Sequence, residues 1–127
     1  MKLIKFLLIA LTFLGIQSFA SSNLDNCLAM ARGMNSSLPK KIDFITTLDA
    51  TSCIEDKGKV YFQYVHIISD PSSLPKNIQQ QAKASSKKQL CSNSDFVRAL
   101  NSFSFDFYYV DMKRKPLYTF TLMRSDC

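Results

Sequence analysis

The chain has 127 residues, a formal net charge of +6 and four cysteines. This length fits one domain with a single hydrophobic core. The basic excess is mild, which argues against a nucleic-acid partner, because proteins that bind nucleic acids usually carry a strong cluster of Lys and Arg on one element. It permits a weak attraction to anionic membrane surfaces, although charge that serves solubility is the simpler interpretation.

Residues 1–20 have the order of a secretory signal peptide. Two lysines precede an apolar run at 6–16, and Ser18 and Ala20 are small residues at the −3 and −1 positions of a cut. A membrane-spanning helix needs about 20 apolar residues, so this run is too short to be one. We expect cleavage after Ala20 and export to the periplasm or beyond from a bacterial cell. The mature protein is then one domain at 21–127.

The four cysteines all lie in the predicted mature domain, at Cys27, Cys53, Cys91 and Cys127. An even number in an exported domain indicates disulfides, and the absence of Cys-x-x-Cys gives no support to a redox or zinc motif. Three pairings can be drawn. We favour Cys27–Cys53 with Cys91–Cys127, because each bond then links elements within one half of the chain. A lipid anchor at Cys27 is disfavoured by the two polar residues that precede it.

The first half of the domain predicts a helix followed by a hairpin. Apolar residues recur at helical spacing over 24–35. The segment 42–54 is rich in β-branched residues, and 59–68 alternates apolar and polar side chains. The turn sequence at 55–58 between them predicts an antiparallel hairpin.

The second half predicts helices followed by another hairpin. A lysine- and glutamine-rich helix over 75–90 is expected on the outside, and a short helix over 94–101 follows it. Strands at 103–110 and 117–124 flank a charged turn. The order α-β-β-α-(α)-β-β predicts a single α+β domain. We expect a four-stranded antiparallel sheet of two hairpins, with helices packed mainly on one face.

One stretch of the sequence resembles small exported bacterial proteins of unknown function. In those proteins a Leu-Pro, an acidic residue, a Thr and a Leu precede a Tyr-x-Tyr strand, one Cys precedes a short helix, and another Cys follows the last hairpin. The matching residues here are Leu38, Pro39, Asp43, Thr46, Leu48, Tyr61, Tyr64, Cys91 and Cys127. The resemblance implies export and a shared fold, and it favours the Cys91–Cys127 pair. It implies no activity.

The sequence contains no catalytic pattern. His66 is the only histidine and lies on an alternating strand, where we expect it to pack. Glu55 and Asp56 lie in a turn, and Asp43 and Asp49 suit structural hydrogen bonds better than catalysis. Three scattered glycines exclude a phosphate-binding loop, and no metal-ligating cluster is apparent. We therefore expect no enzyme activity and no cofactor.

Two surface features remain as binding candidates. Three lysines share a stripe on the second predicted helix, Lys76, Lys83 and Lys87, and Lys88 lies beside them. We interpret this stripe as a solvated face rather than a site for an acidic partner or a membrane surface. The candidate partner face is the second, still rather apolar face of the sheet. It comprises Tyr61, Val65, Ile67, Tyr108 and Val110, with Tyr118 or Phe120. Cover by a loop or by the first helix is an equal alternative.

These features predict a small exported protein that acts by binding an envelope or extracellular protein. Inhibitor, immunity and secretion-accessory roles all fit. The alternative is a periplasmic carrier of a small ligand or lipid, held in a cavity between sheet and helices. A hydrolase is the third hypothesis.

Overall fold

A computed structural model describes residues 22–127, so the predicted signal peptide lies outside the described residues. The α+β class is confirmed. The elements in chain order are α1 (Asn23–Asn35), β1 (Lys40–Lys41), β2 (Thr46–Asp56), β3 (Lys59–Ile68), α2 (Ile78–Leu90), α3 (Ser94–Ala99), β4 (Ser104–Asp111) and β5 (Pro116–Leu122). Over this described range, the helices lack the combined length and apolarity that crossing a membrane requires.

Both predicted hairpins are present. Asp56 of β2 pairs with Lys59 of β3, and the two residues between them, Lys57 and Gly58, have φ angles of 53° and 80°. Two successive left-handed residues match the type I′ turn, whose twist fits the flanking strands. Gly58 adopts this conformation without the steric penalty of a Cβ atom.

The first strand of this hairpin begins later than predicted, at Thr46 rather than at residue 42. The Asp43 carboxylate is the physical reason. Its Oδ1 accepts hydrogen bonds from the backbone N–H groups of Ile45 (3.0 Å) and Thr46 (2.9 Å). A side chain that binds nearby backbone in this way competes with the strand ladder and closes a turn. The chain before that turn forms the short strand β1, which pairs with β2.

The predicted four-stranded antiparallel sheet is wrong in two respects. The sheet has five strands in the order β1-β2-β3-β4-β5, and β3 and β4 run parallel. The connection between them carries α2 and α3. A chain that leaves the end of β3 and crosses one face through helices returns to the starting end, so β4 runs in the same direction as β3.

The core lies between this sheet and the helices. The parallel register places the rings of β3 beside those of β4, and the second hairpin extends the rows to β5. In one row the His66 and Tyr109 centroids are 4.3 Å apart, and Tyr109 and Tyr118 are also 4.3 Å apart. In the next row Tyr64, Phe107 and Phe120 stack at 5.1 and 4.8 Å.

Helix α1 is fixed to the middle of β2. The Thr51 Oγ1 donates to the Ala31 carbonyl at 3.2 Å. The Asn35 side chain binds both backbone groups of Thr51: its Nδ2 donates to the carbonyl at 2.9 Å, and its Oδ1 accepts from the N–H at 2.8 Å. The amide of Asn35 therefore replaces a neighbouring strand at this point of β2, beyond the end of β1.

Helix α2 lies on the outside, as predicted, and buries one stripe. Its buried residues are Ile78, Ala82, Ser86 and Leu90. The helix begins at Ile78 rather than at residue 75. The short helix α3 is capped by the Asn93 side chain rather than by Ser94, and its Phe96 ring packs 4.7 Å from Phe105.

The structure contains the disulfides Cys27–Cys53 and Cys91–Cys127, which is the pairing that the sequence analysis favoured. The first joins α1 to β2 and closes 26 residues. The second joins the end of α2 to the last residue and closes 36. Each bond therefore holds a helix to its own hairpin.

Candidate functional site

Within residues 22–127 the helices pack on one face of the sheet, and the opposite face holds the candidate partner face. Val65 lies directly opposite Tyr108, and Ile67 lies directly opposite Val110, on the neighbouring parallel strands β3 and β4. All four side chains are half-buried. They form one continuous surface, which we call the apolar patch.

The fifth predicted residue, Tyr61, is separated from the apolar patch. A row of polar side chains crosses four strands between them, made of Ser52, Gln63, Asp106 and Thr121. Tyr61 instead lies next to Ile54 of β2, which is 43% exposed. The sequence pattern placed these aromatic and aliphatic residues on one face but could not show the polar row that divides them.

Two further residues considered for this face lie on the other one. Tyr118 stacks on Tyr109, and Phe120 stacks on Phe107, under the helices. The β5 residues opposite Asp106 and Tyr108 are Thr121 and Thr119. The end of the patch nearest β5 is therefore polar.

The polar row is a hydrogen-bonded chain. Thr121 Oγ1 donates to Asp106 Oδ1 at 2.7 Å, and Gln63 Nε2 donates to Asp106 Oδ2 at 3.3 Å and to the Tyr108 hydroxyl at 3.2 Å. Burial, and then the nearby Asp106 carboxylate, raise the pKa of Tyr108 above its usual value. Both carboxylate oxygens of Asp106 are occupied and the residue is only 8% exposed, so this row is built as a structural element rather than as a catalytic acid–base pair.

His66 is buried in the core, as the sequence analysis expected. It is 1% exposed, and its Nδ1 lies 3.3 Å from the Tyr108 carbonyl. Burial lowers the pKa of His66 from 6.5 to about 3, although the backbone contact to Tyr108 acts in the opposite direction. The imidazole is neutral at physiological pH and does not reach solvent, so a substrate has no access to it.

The acidic residues considered for catalysis have structural roles or lie in turns. Asp43 closes the turn before β2, and Asp49 forms a 2.9 Å ion pair with Arg114. Glu55 and Asp56 end β2 in exposed positions. Within residues 22–127, no three metal-ligating side chains come together.

The space between sheet and helices is filled by stacked rings, which gives no support to the carrier hypothesis. Tyr64, Phe105 and Phe107 are at most 1% exposed there. A cavity of about 390 Å³ lies instead at the surface, beside Tyr61 and Ser104.

A second candidate surface lies between α2 and β5. This α2–β5 groove has a volume of about 530 Å³. Lys83 and Lys87 of the lysine stripe line it together with Phe120 and Met123. Helical spacing indicated that these lysines share a stripe. It could not show that the stripe borders the edge of a sheet.

No protein-family model matches this chain, and no curated protein matches it by sequence. The fold is nevertheless shared with solved structures. A pilotin of the Vibrio vulnificus type 2 secretion system, EpsS, superposes with a TM-score of 0.64 at 12% identity, over 83% of this chain and 91% of that one. The type II secretion system pilotin AspS of Vibrio cholerae gives 0.59 at 11% identity, over 83% and 92%.

A third solved structure, a Pseudomonas aeruginosa protein described as a candidate secreted protein, gives a TM-score of 0.64 at 15% identity. It is covered over 99% of its length, against 86% of this chain. At these identities the similarity defines a common fold. None of the three chains is described as an enzyme.

Proposed function

We propose that this protein is an exported, non-catalytic accessory protein of a bacterial secretion system, and that it acts by binding another protein of the cell envelope. The observation that carries the proposal is the fold, which matches two type II secretion pilotins over more than nine-tenths of their length. The resemblance to small exported bacterial proteins is consistent with this role.

Export is supported from two directions. The predicted signal peptide at 1–20 would direct the chain out of the cytoplasm, into the periplasm or beyond. Cys27–Cys53 and Cys91–Cys127 use every cysteine in the chain, and such bonds persist in oxidising compartments. N-terminal sequencing of the exported protein should begin at Ser21, and a retained Met1 would contradict the cleavage.

A deletion experiment tests the secretion role. Removal of the gene from the bacterium of origin should reduce the release of type II secretion substrates into the medium, and the wild-type gene should restore it. Periplasmic marker enzymes serve as the control for general envelope damage. Unchanged release of the substrates would overturn the proposal.

The apolar patch can be tested directly as a contact surface. A photo-crosslinking amino acid at Tyr108 should join the protein to an envelope protein in intact cells. The same group at Lys57, which is exposed in the β2–β3 turn away from the patch, is the matched control. Equal crosslinking from both positions would exclude the patch as the specific contact.

A further inference from the structure

The outer edge of β5 presents backbone groups that do not belong to the sheet. The Thr119 carbonyl accepts a 2.6 Å hydrogen bond from Gln79 Nε2 of α2, so it points away from β4. Backbone groups of alternate residues in a strand point to the same side, so those of Thr121 also point outward. Within residues 22–127, the N–H of Thr119 and both backbone groups of Thr121 lack a partner on that side.

The α2–β5 groove lies along this edge. Its apolar lining comes mainly from Ala84 and Met123, which is 43% exposed, and Phe120, which is only 6% exposed, lies at its base. A chain that paired with the edge would place alternate side chains against this surface, because successive side chains of a strand point to opposite faces. The groove therefore combines a hydrogen-bonding edge with an apolar floor.

The walls of the groove carry one sign of charge. Lys83 and Lys87 line it, and neither the segment 71–93, which contains α2, nor the segment 112–125, which contains β5, includes an acidic residue. Asp126 follows directly, and its Oδ2 accepts a 2.8 Å hydrogen bond from the Met123 N–H, so this carboxylate is engaged at the end of the groove. The nearest carboxylate to Thr121, that of Asp106, is engaged with Thr121 and Gln63. An occupant with carboxylates would complement this charge, and a basic occupant would be repelled.

We propose that the α2–β5 groove binds an extended, acidic segment of a partner protein, which adds to the sheet as a strand beside β5. The proposal rests on the protein-binding function proposed above and identifies the chemistry of the partner. Backbone hydrogen bonds to the N–H of Thr119 and to both backbone groups of Thr121 provide affinity, and Lys83 and Lys87 select for carboxylates.

The observations favour this occupant over two others. A helix satisfies its own backbone groups and would leave the β5 edge unpaired. A second copy of this chain would bring two lysine-lined grooves together, and their like charges would oppose the contact. An extended acidic segment can both pair with the backbone groups of the β5 edge and complement the charge of the lysines.

A pair of short synthetic peptides tests the proposal with the purified, oxidised protein. Both alternate valine with a charged residue; one carries glutamates and the other carries lysines. In NMR titrations the glutamate peptide should shift the amide signals of Thr119 and Thr121, and the lysine peptide should not. The glutamate peptide with N-methylated backbone amides should lose at least about tenfold in affinity, because each such group can no longer donate a hydrogen bond.

Matched variants locate the binding. Lys83→Glu/Lys87→Glu should weaken the glutamate peptide by about tenfold or more. Lys40→Glu/Lys41→Glu makes the same change in net charge at the opposite edge of the sheet and should have an effect of less than about twofold. Thr119→Pro removes the outward N–H and should weaken binding, whereas Thr119→Val retains it and should not. Unchanged amide signals elsewhere in the sheet will show that each variant is folded.

Several results would overturn the proposal. Equal binding of the glutamate and lysine peptides would remove the charge argument, and full affinity of the N-methylated peptide would remove the added strand. Shifts of Thr119 and Thr121 with protein concentration alone would mean that a second copy occupies the groove. If the protein has no role in secretion, the deletion experiment will show unchanged release, but the peptide will still bind. The two proposals can therefore fail independently.

Discussion

The two outer helices meet the sheet in different ways, although each is joined to its own hairpin by one disulfide. On the α1 side, the Asn35 amide satisfies both backbone groups of Thr51, which is only 4% exposed. On the α2 side, Gln79 satisfies only the carbonyl of Thr119, which is exposed. One helix–strand junction is closed by its own side chains, and the other leaves a groove and an open edge.

The two edges of the sheet also differ: the edge at β1 is protected against a further strand, and the edge at β5 is open. β1 is two residues long and consists of Lys40 and Lys41, and short, lysine-bearing edges resist the addition of another strand. β5 is seven residues long and carries no charged residue. A disulfide between a helix and a hairpin therefore does not by itself close the edge of a sheet. Whether an edge is closed depends on hydrogen bonds between nearby side chains and the backbone of the edge strand.

The largest effect on stability should come from the disulfides. Cys27→Ala/Cys53→Ala and Cys91→Ala/Cys127→Ala should each lower the free energy of unfolding by about 3–4 kcal/mol, because they free loops of similar length in the unfolded chain. Their local effects should differ. Hydrogen exchange should rise in α2 and β5 without Cys91–Cys127, whereas α1 should stay protected without Cys27–Cys53. Equal loosening of α1 would contradict the comparison.

The next prediction concerns Asn35 and Gln79, whose side chains bind backbone groups that a neighbouring strand would otherwise bind. Asn35→Ala should lower the free energy of unfolding by about 2 kcal/mol, because it leaves buried backbone groups of Thr51 without partners. Gln79→Ala removes one exposed bond and should cost about 0.5 kcal/mol. Urea unfolding of both variants measures the difference. Similar losses would mean that the two junctions are equally closed.

The two halves meet where His66 stacks on Tyr109, and this contact should respond to acid. The pKa of His66 is lowered to about 3 in the folded state, so below about pH 6.5 only the unfolded chain takes up the proton. The contribution of neutral His66 to the free energy of unfolding should be fully present above that pH. As the pH drops toward 3, the free energy of unfolding should fall by up to about 1.4 kcal/mol per pH unit.

Urea unfolding between about pH 7 and pH 5 isolates this effect, because His66 is the only histidine and carboxylates titrate mainly at lower pH. His66→Gln supplies the control: its unfolding free energy should be nearly constant over that range. A wild-type protein whose stability does not change there would show that the imidazole accepts a proton in the folded state.

The smallest effect should come from the Asp49–Arg114 pair, which joins β2 to the turn between β4 and β5. The Arg114 side chain is 60% exposed, so water weakens the attraction. Arg114→Ala should cost about 0.5 kcal/mol, and a double-mutant cycle with Asp49→Ala should give a coupling of the same size that decreases with added salt. A coupling that does not respond to salt would indicate a buried interaction.

Several features of the fold followed from local patterns. The alternation over 59–68 predicted β3 with its bounds, and the turn sequence at 55–58 predicted the first hairpin, although β2 continues to Asp56 and only Lys57 and Gly58 form the turn. Helical spacing identified α1 and the lysine stripe of α2. The start of β2 was wrong because the Asp43 side chain binds the backbone, and such competition depends on geometry that a strand pattern does not report.

The candidate site was predicted only in part. Alternation placed Val65, Ile67, Tyr108 and Val110 on one face, but the polar row that separates Tyr61 depends on the parallel register of β3 and β4. The lysines of α2 were visible in the sequence, whereas their position beside the β5 edge was not.

The sequence by itself determined the α+β class, the two hairpins and the helical stripes, because these depend on residue spacings of two to four along the chain. Only the tertiary structure decided that β3 and β4 are parallel and that one edge of the sheet is closed by Asn35 while the other borders an open, lysine-lined groove. These outcomes depend on where a long helical crossover returns, and on contacts between residues far apart in the chain, which no local pattern encodes.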